Sequence, residues 1–548
     1  MSVQLPPSIR ENLQFLVTEV DSQLGSLQAF FLNPVKSDGT RIIDRSGYAY
    51  NLKLRIHTSC LEEHSKKKRK GVSEQQSLLR AIEEIATQLE RISELCRDCV
   101  RQVNLVAESK CLQAKAYPPM LEHIKNSIML ILPSIIDHDS QLAQKISKGN
   151  DRLRSQYQRL YREYIATLKS KRRNTQDIAH ALFVAHSVEQ MGENLLEISE
   201  AIISANIGQP VNIKQYRSLF TSLEDIDKDV SKLKIEPIAH TRSGSAISGV
   251  SKTRKNDDYM AVYKDGLKSK LKEEHEGVKN WHEIYPGLAP QILSYKKRGE
   301  SASLMIEHLP GQTFEHILLH ESEENLTNAL SQLVKTLRSI WKETRNKKPD
   351  RAGYMSQLQG RLDEVYRIHP EFRYSEQELC GVSMPSFNQL VMKAAQKEKK
   401  IRSPFSVYIH GDFNLDNIIY DARARKINFI DLHRSCYSDY IQDISVFMVS
   451  NYRLQILDAP MRRRIMAVAI EFYERTRRTA KKNQDETFEL RLSLALARSF
   501  ATSTRFILDK SLSRRMFLRA RYLLNHVLHN EPAEGKSYRL PIKEIFVG

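Results

Sequence analysis

Cysteine is scarce in this chain, with six in 548 residues and no paired framework. That excludes a disulfide-stapled secreted fold and fits a reducing cytoplasm. Cys96 and Cys99 form a lone C-x-x-C inside a helical pattern, and no second pair completes a zinc site. They read as packing residues on a helix face. Long apolar runs are also missing. The longest, around Met129 to Ile136, is broken by Pro133 and is far shorter than a bilayer span requires. The opening MSVQLPPSIRENLQ has no basic flank followed by an apolar run, so neither an export signal nor a transmembrane segment is expected. Tryptophan is down to two, Trp281 and Trp341, both read as packing residues. Acidic residues are in deficit: 66 Asp and Glu face 84 Lys and Arg, a formal charge of +18. Such a surface favours anionic partners. The excess is spread through runs at 169–174, 461–464 and 475–482, and its densest part is KKKRK at Lys66 to Lys70. No aromatic-interleaved or base-reading motif accompanies it, so a solvated loop is expected and nucleic acid is not.

What is present is a folded composition, 41% hydrophobic and 27% charged. The length exceeds one ordinary core, so two or three domains are expected. The first ~215 residues follow helical periodicity. Leu13, Leu16, Val17, Val20, Leu24, Leu27 and Phe31 form one apolar stripe, and Leu153, Tyr157, Leu160, Tyr161 and Tyr164 form another. Breaks near Asn33-Pro34, Lys70-Gly71, Tyr117-Pro118-Pro119, Gly149 and Asn174 suggest about six helices, with both stripes as core.

Two helices echo each other. LERISE at 89–94 and VEQMGE at 188–193 lie 99 residues apart, which reads as one three-helix unit used twice. Acids recur on one face of each helix: Glu90, Glu94 and Asp98, then Glu189, Glu193 and Glu197. Their mutual repulsion calls for an offsetting cation, and clustered carboxylates suit hard or borderline metals. A solvated acidic face is the competing account. With the helix at 137–165, these segments resemble the PhoU family, paired three-helix bundles associated with phosphate regulation. The resemblance covers roughly Ile9 to Gly208. It implies metal sites at Glu90/Glu94 and Glu189/Glu193, for a further divalent or iron-type metal, and a protein partner in phosphate regulation. A homodimer is also considered. Both second acids are Glu where that family carries Asp.

The most informative stretch is Ser406 to Val446. The apolar run Val407 to Ile409 delivers His410-Gly411-Asp412 into a loop, Ile418 to Tyr420 follows Asn417, and Lys426 to Ile430 ends on Asp431. Short strands on both sides of a polar loop are a setting for held catalytic groups. The order H-x-D-x-x-x-x-N followed by a strand-borne Asp is that of kinases, where the first Asp takes the acceptor's proton and the Asn and second Asp hold magnesium.

HGDFNLDN at 410–417, FIDLHRS at 429–435 and DYIQD at 439–443 resemble the aminoglycoside phosphotransferase and choline kinase-like family. That resemblance implies a two-lobed kinase fold using ATP and Mg2+, with Asp412 as base, His410 in the catalytic loop, Asn417 and Asp431 on the metal, and Asp443 bracing the loop. An upper lobe is legible before it. RSGSAISGV at 242–250, with Ser245, is a small-residue turn able to approach phosphates, although an ordinary hairpin also fits. MAVYKD at 260–265 places Lys264 on a strand, where it could neutralise phosphates. A helix is predicted over about Ser269 to Tyr285. Glu276 is chosen as the lysine's partner, with Glu273 and Glu274 competing. SLMIEHLPG at 303–311 reads as a strand and hinge, with backbone near Glu307 to Leu309 meeting adenine. Leu432-His433-Arg434 departs from the pattern common in aminoglycoside enzymes and is closer to lipopolysaccharide sugar kinases. His433 and Arg434 are candidates for contacting the acceptor or a phosphate.

The expected architecture is therefore multidomain: an all-α pair of three-helix bundles over 1–215, a linker over 216–236, and an α+β two-lobed kinase-like fold. Its N-lobe spans 237–311 and its C-lobe 312–548. The expected function is a cytoplasmic, ATP-dependent phosphotransferase acting on a small hydroxylated or amino acceptor. The alternative is a nucleotide-binding regulatory scaffold of phosphate signalling.

Overall fold

The structure is a computed structural model. It describes residues 5–33, 36–66, 73–170, 174–207, 212–223, 234–240, 246–251, 261–348, 353–373, 377–379, 382–456, 458–530 and 538–547. The chain divides into two compact units, Met1–Thr241 with Ile247–Arg254, and Arg242–Ala246 with Lys255–Gly548.

The first unit is mainly helical. It runs α1 (Pro7–Leu32), α2 (Lys36–Asp44), α3 (Ser46–Lys66), α4 (Ser73–Asn104), α5 (Tyr117–Ile128), α6 (Ile131–Ile136), α7 (Ser140–Ser170), α8 (Thr175–Ile207) and α9 (Ile213–Leu223). Among the described residues, six of these helices have twelve residues or more, and α2, α6 and α9 are short pieces between or after them. α1 starts with proline at its first position, where the missing N–H has no intrahelical partner to lose. Its stripe from Leu13 to Phe31 is buried, as the periodicity predicts. The second stripe is core at Leu153, Leu160 and Tyr164, but Tyr161 is exposed, because it falls off the inward face of α7. Cys96 and Cys99 are fully buried in the helical core. α1, α3 and α4 pack together, α5, α7 and α8 do likewise, and α4 lies along α8. Strands β1 (Lys234–His240) and β2 (Ala246–Ser251) follow in sequence. No described helix is long and apolar enough to cross a membrane.

The second unit is mixed α/β. β3 (Ala261–Leu267), α10 (Lys268–Ile284), β4 (Ile292–Arg298) and β5 (Ser301–Glu307) come first. β5 runs antiparallel between β3 and β4, with Lys264 opposite Leu304. α10 packs on these strands and buries Leu271, Glu274, Gly277, Val278 and Trp281, a helical stripe facing inward. β6 (Gln312–Thr313), α11 (Phe314–His320), α12 (Glu323–Glu343), α13 (Tyr354–Ile368), β7 (Gln377–Leu379), β8 (Val382–Met384) and α14 (Phe387–Glu398) lead to the loop strands. These are β9 (Val407–Ile409), β10 (Ile418–Asp421), β11 (Lys426–Phe429) and β12 (Cys436–Ser438). α15 (Ile441–Tyr452), α16 (Ala459–Lys482), α17 (Phe488–Ser503), α18 (Lys510–His529) and α19 (Ile542–Ile545) complete the unit. β10 pairs antiparallel with β11, Ile418 opposite Phe429, and β12 pairs with β9, Cys436 opposite Ile409. These two hairpin-like pairs clamp the loop at both ends. Beneath it Phe413, Phe429, Phe447 and Leu415 are fully or almost fully buried, each worth about 2 kcal/mol relative to exposure.

Candidate active site

The loop is built backbone first. The Asp443 carboxylate, on the first turn of α15, accepts the N–H of His410 at 2.8 Å and of Gly411 at 2.9 Å. Burial pushes its pKa up, and the two N–H bonds and His410 offset this only in part. It braces the loop from behind, as the DYIQD segment suggested. The His410 ring has no exposure. Its Nε2 lies 2.9 Å from the Ile430 carbonyl, and its Nδ1 accepts the Asp412 N–H at 3.3 Å. With both nitrogens engaged by backbone, His410 has no lone pair or proton for an acceptor, so it is a positioning residue rather than a catalytic one. Gly411 sits at φ +83°, and a Cβ there would meet the Arg434 carbonyl oxygen at 2.2 Å. Only glycine fits that left-handed, crowded position.

The polar groups are then tied together. Asn417 donates Nδ2–H to the Asp412 carbonyl at 2.8 Å, and Ile430 N–H donates to the Asn417 carbonyl at 3.1 Å. Asp412 itself is one-quarter exposed; its Oδ1 accepts from Asn414 at 2.8 Å and its Oδ2 lies 3.2 Å from Arg434 Nη1. Asp431 takes a left-handed φ of +63°, a sparsely populated conformation for a non-glycine residue. Burial would raise the Asp431 pKa, but the His433 hydrogen bond at 3.2 Å and the Lys264 charge reverse this and hold it well below the usual carboxylate range. That same hydrogen bond raises the pKa of His433.

Lys264 is buried on β3, with Nζ 2.5 Å from Glu274 Oε1 and 3.9 Å from Asp431 Oδ1. Burial pulls its pKa down, yet Glu274 and then Asp431 more than compensate, leaving it raised. This corrects the choice of Glu276. That residue is half exposed and pairs with Lys272 at 3.6 Å. Helix phase decides it: Glu274 shares the inward stripe of α10 with Leu271 and Val278, and Glu276 does not. The helix also comes close to the Asp431 loop at Gly277, where a Cβ would lie 2.2 Å from the Leu432 carbonyl oxygen.

Of the hinge residues, Glu307 uses its N–H on the Gln291 carbonyl at 2.9 Å and its carboxylate on the Gln291 N–H. That N–H is therefore engaged by Gln291 and not open to adenine. The Leu309 backbone makes no hydrogen bond among the described residues. Ser245 lies outside the described residues. Trp281 is packed as expected, and it also donates to Ser435 Oγ at 2.8 Å, which donates to the His410 carbonyl at 3.2 Å.

Residues 269–479 match the phosphotransferase enzyme family. Residues 118–202 match the PhoU domain. The phosphotransferase match begins just after Lys264 and encloses the loop, Asp431 and Asp443. Among curated proteins, an aminoglycoside 3'-phosphotransferase of Escherichia coli is 30% identical over 169 residues, covering 30% of this chain and 59% of that protein. A phosphate-specific transport system accessory protein PhoU homolog of Xylella fastidiosa is 30% identical over 80 residues, 15% of this chain and 32% of that protein. The chain thus spans less than two thirds of these relatives' length. A solved choline kinase from Cryptosporidium parvum superposes with a TM-score of 0.35 at 12% identity, covering 57% of this chain and 94% of that one.

In the helical unit the four acids expected as metal ligands are not gathered. Glu90 is buried and pairs with Lys53 at 3.0 Å, while Glu94 is exposed beside Arg97 at 3.5 Å. Glu189 lies 3.6 Å from His186, and Glu193 accepts from Asn150 at 3.2 Å. No group of three or more His, Cys, Asp or Glu able to hold a metal occurs among the described residues. A lysine satisfies Glu90 where the sequence reading placed a metal.

Three arginines near the loop were not singled out by sequence, or only weakly: Arg361 on α13, Arg434, and Arg498 on α17. Their separation along the chain hides the cluster, and only Arg434 sits inside a recognisable motif.

Proposed function

We propose that this chain transfers the terminal phosphoryl group of ATP to a hydroxyl or amino group of a small acceptor. The observation that carries the reading is the joint placement of Lys264 from β3, Glu274 from α10 and Asp431 after β11 within one ion-paired set, in the same unit as the loop that holds Asp412. Asp412 takes the acceptor's proton as the new bond to phosphorus forms and the bond to the ADP oxygen breaks. Lys264, held rigid by Glu274, offers its charge to the phosphates. Asn417, whose Nδ2 is turned to the Asp412 carbonyl, and Asp431 are the residues that would hold Mg2+, since they offer the oxygen donors that ion prefers. Bound there, magnesium neutralises phosphate charge. The Leu309 backbone, without a hydrogen bond among the described residues, is the hinge group offered to adenine.

The PhoU-like region serves as a docking module toward a protein partner in phosphate regulation. That reading is favoured over a metal sensor because Lys53 already satisfies Glu90. Free thiols suit a cytoplasmic setting. The regulatory-scaffold reading draws on the Arg434 contact, which covers the base in this state.

The test is labelled ATP with purified full-length protein and a metabolite pool. Asp412→Asn is expected to lower turnover by on the order of 10² or more. Unchanged turnover removes Asp412 from the chemistry. No pool-dependent consumption by the unaltered protein favours the scaffold.

A further inference from the structure

The second unit contains two deeply buried arginines on one helix, treated very differently. Arg491 and Arg498 are seven residues apart on α17, two helical turns, and so share a face. Arg491 is ion-paired with both Asp439 and Asp485. Arg498 is 5% exposed, makes no ion pair among the described residues, and leaves Nε and Nη2 buried without a hydrogen-bond partner. Its charge rests over the Tyr354 ring at 5.6 Å. A buried guanidinium without a counter-charge is costly; the fold gives Arg491 two carboxylates, and Arg498 none among the described residues.

Arg498 is close enough to Asp412, Arg361 and Arg434 to act on each of them electrostatically. Arg361, half-buried on α13, likewise feels Arg434, Arg505 and Asp412, and it has no ion pair among the described residues. Burial first, then the neighbouring guanidiniums, lower its pKa. The nearby acids are engaged elsewhere. Glu364 pairs with Arg505, and Glu398 accepts the N–H groups of Tyr354 at 2.7 Å and Met355 at 3.0 Å. Burial holds Arg498 down to about 10, still charged at neutral pH.

We propose that the acceptor is an anion, a hydroxylated metabolite carrying a phosphate or carboxylate, whose oxyanion is held by Arg361, Arg434 and Arg498 beside Asp412. Guanidinium forks match both groups geometrically. The same cluster repels a polycationic acceptor such as an aminoglycoside. On binding, Arg434 exchanges its ion pair with Asp412 for one with the ligand and frees the base. This inference rests on the phosphotransferase reading for its catalytic half and on binding alone for the rest.

Two measurements keep the halves apart. In the first, inorganic phosphate is titrated calorimetrically into full-length protein saturated with a non-hydrolysable ATP analogue and magnesium, which fills the donor side. Phosphate binding is expected, weakened about tenfold or more in Arg361→Gln and in Arg434→Gln, the loss of a charge-assisted contact. Absence of phosphate binding, or binding indifferent to both changes, overturns the proposal. In the second, labelled ATP is offered with paired acceptors: glycerol against glycerol 3-phosphate and glycerate, and free sugars against their phosphates and acids. The anionic member of a pair is expected to be preferred, and Arg361→Gln to raise its KM far more than it lowers kcat. Preference for the neutral members overturns the proposal and leaves the phosphotransferase reading standing. Transfer to no acceptor overturns that reading instead, and the phosphate titration then decides the anion site. Arg361 is half-buried on the surface of α13, so its variant avoids the folding risk of replacing Arg498.

Discussion

Arg434 lies across the base of the loop, its Nη1 3.2 Å from Asp412 Oδ2. The Arg434 side chain is half exposed, so the ion pair is weak and readily exchanged. An arginine held this loosely can move off Asp412. Arg434→Ala should raise the slow hydrolysis of ATP to water several-fold, because Asp412 is then open to solvent, while lowering kcat/KM for the true acceptor. Parallel assays of ADP release and acceptor phosphorylation check this; equal falls in both rates would assign Arg434 to the phosphates instead.

Glu274 and Glu276 stand two residues apart and differ in everything that matters. Glu274→Gln leaves the buried Lys264 ammonium with only the more distant Asp431. Removing one partner of a buried pair costs about 3 kcal/mol or more. Denaturant unfolding should show that loss, and nucleotide binding should weaken with it. Glu276→Gln breaks only an exposed pair with Lys272 and should change stability by about 0.5 kcal/mol or less. Equal effects would contradict the pairing.

How much of this was readable beforehand follows from chain distance. The strand-loop-strand segment carrying Asp412, Asn417 and Asp431 is continuous in sequence, and its strands begin where two apolar runs and one alternating run predict. Lys264 was legible because it stands in an alternating run. Its partner was not, because Glu273, Glu274 and Glu276 differ only in helix phase, and the packing of Leu271 and Trp281 sets that phase. His410 reads as catalytic from its place in the H-x-D-x-x-x-x-N motif; the Ile430 carbonyl and Asp412 N–H that occupy its ring are backbone groups with no sequence signature. Arg361 and Arg498 come together only because α13 packs on α17. The acid periodicity on α4 was real, but Lys53 comes from α3, and nothing in the acids announced it.

Gly411→Ala tests the geometry of the loop without touching a polar group. At φ +83° a side chain costs about 1–2 kcal/mol in backbone conformation alone. The added methyl would also meet the Arg434 carbonyl oxygen at 2.2 Å, so the backbone must shift and carry Asp412 with it. Turnover should fall by on the order of 10² while the secondary structure measured by circular dichroism is kept. Normal turnover would show that the loop tolerates a different path.

The helical unit offers a prediction with a defined pH sign. Asp177, in the first turn of α8, accepts the N–H groups of Glu108 at 2.9 Å and Ala107 at 3.0 Å. Those bonds, Glu108's first and then Ala107's, hold its carboxyl below the ordinary 3.8. A carboxylate with a depressed folded pKa adds stability above its unfolded value and loses it as pH falls through the folded one. Asp177→Asn keeps the shape but offers one acceptor oxygen for two donors. The melting temperature of the variant should lie below that of the unaltered protein at neutral pH, with the gap constant well above pH 3.8 and closing as acid protonates the native carboxyl. Both proteins are followed by thermal unfolding across that range, using the helical signal of the full chain. A gap that widens in acid would mean the carboxylate is destabilised by its surroundings, and the two N–H contacts would then not be what holds the α4–α5 connection to α8.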